Sequence, residues 1–444
     1  MKKSFLLINS DGCFLGIAQR LQDEGYKVYS FYEKVAEKYS GKDVGKGMIE
    51  LVEDMYDVLW EYKDKKDNLI ILVDGNYDGS EFDVLRSEGW HVIGSSDFSE
   101  KMEHDRGKGN ELAGKLGLNL PPAVEFTDFA KASQYLDKLK SKDNSIKLVF
   151  KGDGLDAAGG SFTYLANTVE EMQKYIDWVN RQQSYGCKIE KFRFQEVIDG
   201  VEVDFAGWYN GSQFVPAMFV DFEQKRIHGL GAAVGCLGQI EVFLDPTKEP
   251  YFQKHLKPLL PILNENNAVA NEWAINNIVK EGDPYFLEFT SRFGWDSTIG
   301  ELAILKDAGK SIGEFFEMLA FKKPFPKDYF PYGLFSCTVR LYSGSTGHHC
   351  EDVEGKPLFW DSKYNDNFWW YSVKRSDAGH EITGSMVGCV TYCAKTVEEA
   401  VAGAYAIIDP RNNNITIPDI FYSETIGDKV PEMIRELKGQ KIIS

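Results

Sequence analysis

The sequence predicts a multidomain protein that combines α/β and α+β architecture, beginning with an open parallel sheet. Three observations lead there. Short continuous apolar runs alternate with helical stretches over the first hundred residues, strand patterns dominate the middle of the chain, and the last hundred residues join an aromatic cluster to one well-marked helix. Continuous rather than alternating apolar runs belong to parallel strands covered on both faces, and their alternation with helices makes βαβ units. The expected units are residues 1–100, 101–330 and 331–444, with a smaller subdomain at about 123–198 inside the second.

In the first unit the expected strands are Phe5–Asn9, Lys27–Phe31, Leu69–Asp74 and His91–Ser95, and the first helix is Phe14–Glu24. Ligands of such sheets sit beyond the carboxyl ends of the strands. Asn9-Ser10-Asp11-Gly12 and Asp74-Gly75-Asn76 occupy those ends. From Lys101 one helix is expected to about Gly117, before the Pro121-Pro122 pair. Lys147–Lys151 is strand-like and enters a glycine-rich loop reaching Ser161. Thr168 and Glu171 are spaced as a capping box for the next helix, as are Thr396 and Glu399 for a helix through Ile408. Between them lie expected strands at Lys191–Val197, Val201–Tyr209, Phe214–Asp221, Val269–Val279 and Tyr285–Phe289, with a helical stretch at Tyr251–Leu263.

Apolar residues make up 43% of the 444 and charged residues 27%, enough for a large buried core. The net charge of −18 speaks against sequence-independent nucleic-acid binding, which needs a basic face. No run approaches the ~20 apolar residues of a membrane helix. The opening Met1-Lys2-Lys3 is followed by too short an apolar run for a signal peptide. Seven scattered cysteines without a CxxC pair read as reduced thiols rather than a zinc site, and the expected location is cytoplasmic.

Three segments carry candidate chemistry. Lys151-Gly152-Asp153-Gly154-Leu155-Asp156-Ala157-Ala158-Gly159-Gly160-Ser161 lies between two strand-like runs, so it is neither a Walker loop nor a dinucleotide fingerprint. Such a loop can offer backbone N–H groups to a triphosphate, with Lys151 adding a positive charge; it also reads as a plain hairpin turn. Gln195-Glu196-Val197-Ile198-Asp199-Gly200-Val201-Glu202 can present backbone groups to an adenine edge and a carboxylate to a ribose, or can be a hairpin whose Asp-Gly makes the turn. In Leu287-Glu288-Phe289-Thr290-Ser291-Arg292-Phe293-Gly294, strand alternation puts Glu288 and Thr290 on one face and Leu287 and Phe289 on the other. A carboxylate beside a hydroxyl suits Mg²⁺, and Arg292 can clamp a phosphate; a half-buried strand with a polar outer face has the same pattern.

The order of these segments resembles the ATP-grasp ligases, and within them the phosphoribosylamine–glycine ligase family, over nearly the full chain. That family's K-A-D-G-L-A-A-G-K-G, E-E-F-L-D-G-E-E and L-E-F-N-x-R-F-G are similar to residues 151–160, 195–202 and 287–294, and residues 384–391 and 421–427 resemble its closing segments. The resemblance implies an ATP-grasp fold with an N-terminal parallel-sheet domain, ATP and Mg²⁺ (or Mn²⁺) as cofactors, and activation of a carboxylate as an acyl phosphate that an amine attacks. It implies that Lys151 and Arg106 bind phosphates, that Gln195, Glu196, Val197 and Ile198 hold adenine, and that Glu202 binds ribose. Glu288, with Thr290, would ligate the metal, and Arg292 would act with Lys151 in catalysis. Asp11, Gly12, Lys225, Arg226 and Gly235 fall at substrate positions. The implied partners are glycine or another amino acid and a phosphosugar- or nucleotide-like amine, with no nucleic acid and no membrane, in a monomer or homodimer.

The chain departs from that pattern in four places. Thr290 stands where the family has Asn, and Gly159 where the lid has Lys. Residues 231–238 replace G-P-N-T-G-G-M-G, and residues 10–16 replace G-x-G-G-R-E-H. The substrate half is therefore rewritten more than the ATP half, which leaves open a non-catalytic nucleotide-binding scaffold or sensor. His348-His349-Cys350 reads as a surface pair rather than a ligand set, the Trp360–Tyr371 aromatics as a satellite core or dimer contact, and His228 is a lone candidate beside Lys225-Arg226.

Overall fold

Residues 2–10, 12–34, 40–155, 161–182, 189–225, 236–344 and 353–444 are described in the computed structural model. The first unit contains β1 (Ser4–Asn9), α1 (Leu15–Asp23), β2 (Lys27–Tyr32), β3 (Glu50–Val52), α2 (Met55–Tyr62), β4 (Leu69–Val73), α3 (Gly79–Ser87) and β5 (His91–Ile93). The five strands form one parallel sheet in the order β3-β2-β1-β4-β5. Every residue of β1 and β4 is buried, which explains their unbroken apolar sequence. The strand order reverses at β1, so the β1–β4 crevice is the switch point at which such sheets bind ligands. Asp74, just past β4, is buried there and accepts from the Ser10 amide at 2.7 Å and the Tyr77 hydroxyl at 3.1 Å. Gly12 has φ +89°, and a Cβ on it would come within 2.7 Å of Ser40 Oγ.

The single helix expected from Lys101 is two helices, α4 (Asp97–His104) and α5 (Arg106–Lys115). Asp105 breaks them apart in extended conformation, and its carboxylate accepts from the Gly107 and Lys108 amides to cap α5. The break makes Arg106 the first residue of a helix instead of an interior one.

A four-stranded antiparallel sheet follows, built from β6 (Ala123–Phe126), β7 (Leu148–Leu155), β8 (Ser161–Ala166) and β9 (Phe192–Glu196) in the order β6-β9-β7-β8. With α6 (Phe129–Lys142) and α7 (Val169–Gln182) it encloses its own apolar core, which includes Leu136, Phe150, Met172 and Phe194. The Thr168 hydroxyl accepts from the Glu171 amide at 3.1 Å as expected, but the Glu171 carboxylate reaches one residue further back, to the Asn167 amide at 2.9 Å.

The remaining elements are β10 (Val201–Tyr209), β11 (Met218–Glu223), β12 (Gly238–Leu244), α8 (Leu259–Glu265), β13 (Asn271–Lys280), β14 (Asp283–Thr290), α9 (Trp295–Asp307), α10 (Ile312–Ala320), β15 (Phe335–Ser343), β16 (Pro357–Trp360), β17 (Phe368–Trp370), β18 (Val373–Ser376), β19 (Gly379–Ile382), β20 (Met386–Ala394), α11 (Val397–Ile408), β21 (Ile415–Thr416), β22 (Ile420–Phe421) and α12 (Val430–Gly439). β11 begins at Met218, later than the expected Phe214, because Pro216 lacks the N–H a ladder needs. A nine-stranded sheet runs β14-β13-β10-β11-β12-β15-β20-β17, with β22 beside β15. It is continuous through the β12–β15 pair, so strands on both sides of residue 330 share one sheet.

Helix α9 lies on one face of this sheet so closely that a Cβ at Gly300 would collide with the Glu241 carboxylate. Arg340 and Asp296, both almost fully buried, join β15 to α9 at 2.8 Å, and the Tyr371 hydroxyl donates to Asp296 at 3.0 Å. Phe368, Trp369, Trp370 and Tyr371 are buried, and Trp360 packs against Trp370, so the aromatic cluster is core.

Candidate functional site

A cavity of about 980 Å³ opens between the small antiparallel sheet, helices α4 and α5, and edge strand β14. Arg106, Lys151, Gln195 and Glu288, expected from four distant segments, all line it. Lys191, Arg193 and Glu103 line it too and were not singled out by the sequence. For Arg193 a signal existed, since it lies two residues before Gln195 on the same strand and so shares its face. Burial first, and then the neighbouring Arg106, push the Lys151 ammonium down to about 8, while Glu288 and Glu202 pull it the other way. Two further cations, Arg106 and Arg193, and two carboxylates, Glu288 and Glu202, thus bear on the Lys151 charge. Apolar groups, among them Met102, Pro121, Phe286 and Leu287, form another part of the wall.

The segment 195–202 is not a hairpin. Strand β9 pairs with β6 and β7, whereas β10 pairs with β11 and β13 in the other sheet. Val197 and Ile198, both half-buried, belong to the extended crossing between sheets, next to the buried Gln195. The Glu196 amide is spent on Pro122 O at 2.9 Å. Glu202 is bridged to Lys225 at 2.8 Å, and Lys225 also reaches Glu223 at 3.1 Å. Burial works against the Lys225 charge, but Glu223 and Glu202 outweigh it and hold its pKa well above the usual lysine value.

Strand β14 corrects the expected alternation. Leu287 is bulged, since Asn276 pairs with Glu288 while Asn277 pairs with Phe286. Phe286 and Phe289 are buried, whereas Leu287 is half-buried and Glu288 exposed, so Leu287 joins Glu288 on the less covered side of the strand. Thr290 is half-buried, with its hydroxyl 3.1 Å from one end of the Asn276 side-chain amide, whose other end is 3.0 Å from both Asp204 oxygens.

From Glu288 a polar row crosses the sheet in direct register: Glu288, Asn276, Asp204, Asp221, Glu241, Ser336. Burial raises Asp204, Asp221 and Glu241 well above the carboxylate range, and Asp221 adds to the shift on both its neighbours. Further along the same face Glu272 accepts from the Gly294 amide at 3.2 Å and the Thr298 hydroxyl at 3.1 Å. Burial raises it to about 7, with these donors and Arg292 opposing.

Arg292 is not among the lining residues; its Nε is 3.1 Å from Glu103 Oε1 and its Nη1 donates to Phe293 O at 3.0 Å. Gly12 sits at the β1–β4 switch point. Asp11, Arg226 and Gly235, the loop residues 156–160 with Gly159, most of the 231–238 segment, His228 and the His348-His349-Cys350 run lie outside the described residues.

No family model matches the chain. Among curated proteins it is similar to phosphoribosylamine–glycine ligase of Escherichia coli O157:H7, 24% identical over 371 residues, covering 78% of this chain and 79% of that protein. The same enzyme of Fusobacterium nucleatum is 22% identical over 368 residues, covering 80% and 81%. The crystal structure of phosphoribosylamine–glycine ligase from Thermotoga maritima superposes with a TM-score of 0.69 at 17% identity, over 95% of this chain and 100% of that one. The fold is ATP-grasp. A biotin carboxylase domain from Hydrogenobacter thermophilus, crystallised with MgADP, ADP and bicarbonate, also superposes, with a TM-score of 0.63 at 12% identity and full coverage of both chains.

The small sheet brings Lys151, Arg193 and Gln195 on strand-borne positions, α5 brings Arg106 at its first turn, and β14 brings Glu288 from the opposite wall. Among the described residues no group of three or more His, Cys, Asp or Glu is placed to hold a metal ion unaided, and no helix is long and apolar enough to cross a membrane.

Proposed function

We propose that this protein is an ATP-dependent, ADP-forming ligase that joins a carboxylate to an amine through an acyl phosphate. The observation that carries the reading is the convergence of Lys151, Arg106 and Glu288 on one cavity, with Glu202 acting on Lys151 from β10 in the larger sheet. The cavity volume suits a nucleotide, since ligand pockets span about 300–1,000 Å³. Its donor set suits one as well: cations for phosphates, an apolar wall for a base, and a carboxylate for a hard cation.

Lys151 and Arg106 would neutralise the triphosphate, the crossing at Gln195, Glu196, Val197 and Ile198 would hold the adenine edge, and Glu202 the ribose. Glu288 and Thr290 would hold Mg²⁺, which typically takes one or two protein oxygens and completes its shell with phosphates and water. The metal ion would spread the charge that builds on the transferred phosphoryl group. Arg292 would take the same charge from the other side as the carboxylate oxygen attacks the γ-phosphorus and ADP leaves. The amine then displaces phosphate from the acyl carbon. Such chemistry is positioning and charge neutralisation, and needs no nucleophilic side chain.

By similarity the acid is glycine or another amino acid and the amine a phosphosugar or nucleotide-like amine, in a cytoplasmic enzyme. The test is ADP formation from MgATP with glycine and phosphoribosylamine, then with a panel of other amino acids and amines. Turnover that requires both an acid and an amine supports the reading, and Glu288→Gln should lower it about 100-fold or more. MgATP binding without turnover across the panel would favour a scaffold or sensor instead.

A further inference from the structure

Glu103 was not expected from the sequence, yet each of its carboxylate oxygens is engaged at the point where the N-terminal unit meets the strand carrying the metal candidates. Oε1 accepts from Arg292 Nε at 3.1 Å. Oε2 accepts from the Ser291 amide at 3.1 Å and from the Asn76 side-chain amide at 2.7 Å. Asn76 is itself fixed, accepting from Ser99 Oγ at 2.9 Å and donating to Ser291 O at 3.0 Å. Ser291 Oγ closes the circuit by donating to Ser99 O at 2.9 Å.

We infer that Glu103 is a positioning residue, which with Asn76 sets the Arg292 guanidinium for the transferred phosphoryl group. The inference rests on the proposed role of Arg292. Three features support it. Glu103 lines the cavity and holds Arg292 through Nε, while Arg292 Nη1 donates to Phe293 O at 3.0 Å. Both side chains are mostly shielded, 19% and 27% exposed, where a charge-assisted bond is stronger than at the open surface. The Glu103 carboxylate is also held by two N–H groups besides the arginine, so it cannot swing away without breaking them. An arginine on a flexible arm becomes a fixed donor in this way, and preorganised donors stabilise developing charge without reorganising at the moment of reaction.

A glutamine at 103 would keep the shape but turn one of its two ends into a donor, setting N–H against N–H at either Arg292 or the Ser291–Asn76 side. The probe is MgADP, with and without aluminium fluoride to mimic the phosphoryl group in transfer, titrated calorimetrically into the full-length protein. Glu103→Gln is expected to lose about tenfold or more of the extra affinity that aluminium fluoride confers, over and above any change in MgADP affinity alone. Asn76→Ala is expected to lose part of it, and decides the matter should the glutamine variant fail to fold. Unchanged aluminium fluoride affinity in these variants, or equal weakening with and without it, would overturn the inference. Arg292→Gln separates the two levels. If it loses the fluoride gain while Glu103→Gln keeps it, only the positioning role is wrong; if it keeps the gain, the role of Arg292 itself has failed.

Discussion

The ammonium of Lys225 is bonded to the carboxylate of Glu202 at 2.8 Å, joining a residue expected on the substrate side to one expected on the nucleotide side. The pair is partly exposed, 28% and 47%, which places it among ion pairs worth up to about 1 kcal/mol. Lys225→Met leaves Glu202 and Glu223 facing each other without their shared cation. MgATP affinity is therefore expected to fall about two- to fivefold, measured by calorimetry. Unchanged affinity would separate Glu202 from the nucleotide.

Lys151 makes binding depend on pH. In the ligand-free protein its ammonium loses its proton at about 8, chiefly through burial. A triphosphate would supply the negative charge that restores the proton, so the bound value is higher than the free one. MgATP binding is expected to take up protons around pH 8–9, and affinity to fall by at most about tenfold per pH unit above pH 8. Calorimetry in two buffers of different ionisation enthalpy reads the uptake directly. Lys151→Met should remove it, whereas uptake that persists in this variant would assign the proton to another group.

The buried row of Asp204, Asp221 and Glu241, with Glu272 nearby, sets the pH dependence of stability. Their folded-state pKa values are raised, foremost by burial. A raised carboxyl holds its proton in the folded chain after the unfolded chain has released it. Stability then falls as pH rises from the unfolded value of about 4 toward the folded one. For Glu272 that window closes at about 7. Melting temperature is expected to be higher at pH 6 than at pH 8, with Glu272→Gln flattening part of the difference. A melting temperature that climbs over this range would contradict the protonated row.

The parallel sheet was readable from Phe5–Asn9 and Leu69–Asp74 because complete burial of β1 and β4 leaves no polar face to interrupt the runs. Lys151, Arg106, Gln195 and Glu288 were readable as a set only through the order of their motifs, since each alone also fits a turn or an exposed strand face. Four features were not readable. The break at Asp105 needs a capping carboxylate to outcompete continued helix, a contest decided over two or three residues. The bulge at Leu287 depends on how β14 meets β13, and it reverses the face on which Leu287 lies. The polar row from Glu288 to Ser336 comes from six strands whose register no single stretch of chain contains, and the Glu103–Arg292 contact joins residues 189 positions apart.

A crystal structure with Mg²⁺ and a non-hydrolysable ATP analogue decides whether this cavity is the nucleotide site. The triphosphate is expected between Lys151 and Arg106, the base against the crossing that follows Gln195, and the cation on Glu288. A nucleotide bound elsewhere, or one in this cavity with its phosphates away from Lys151 and its cation away from Glu288, would contradict it.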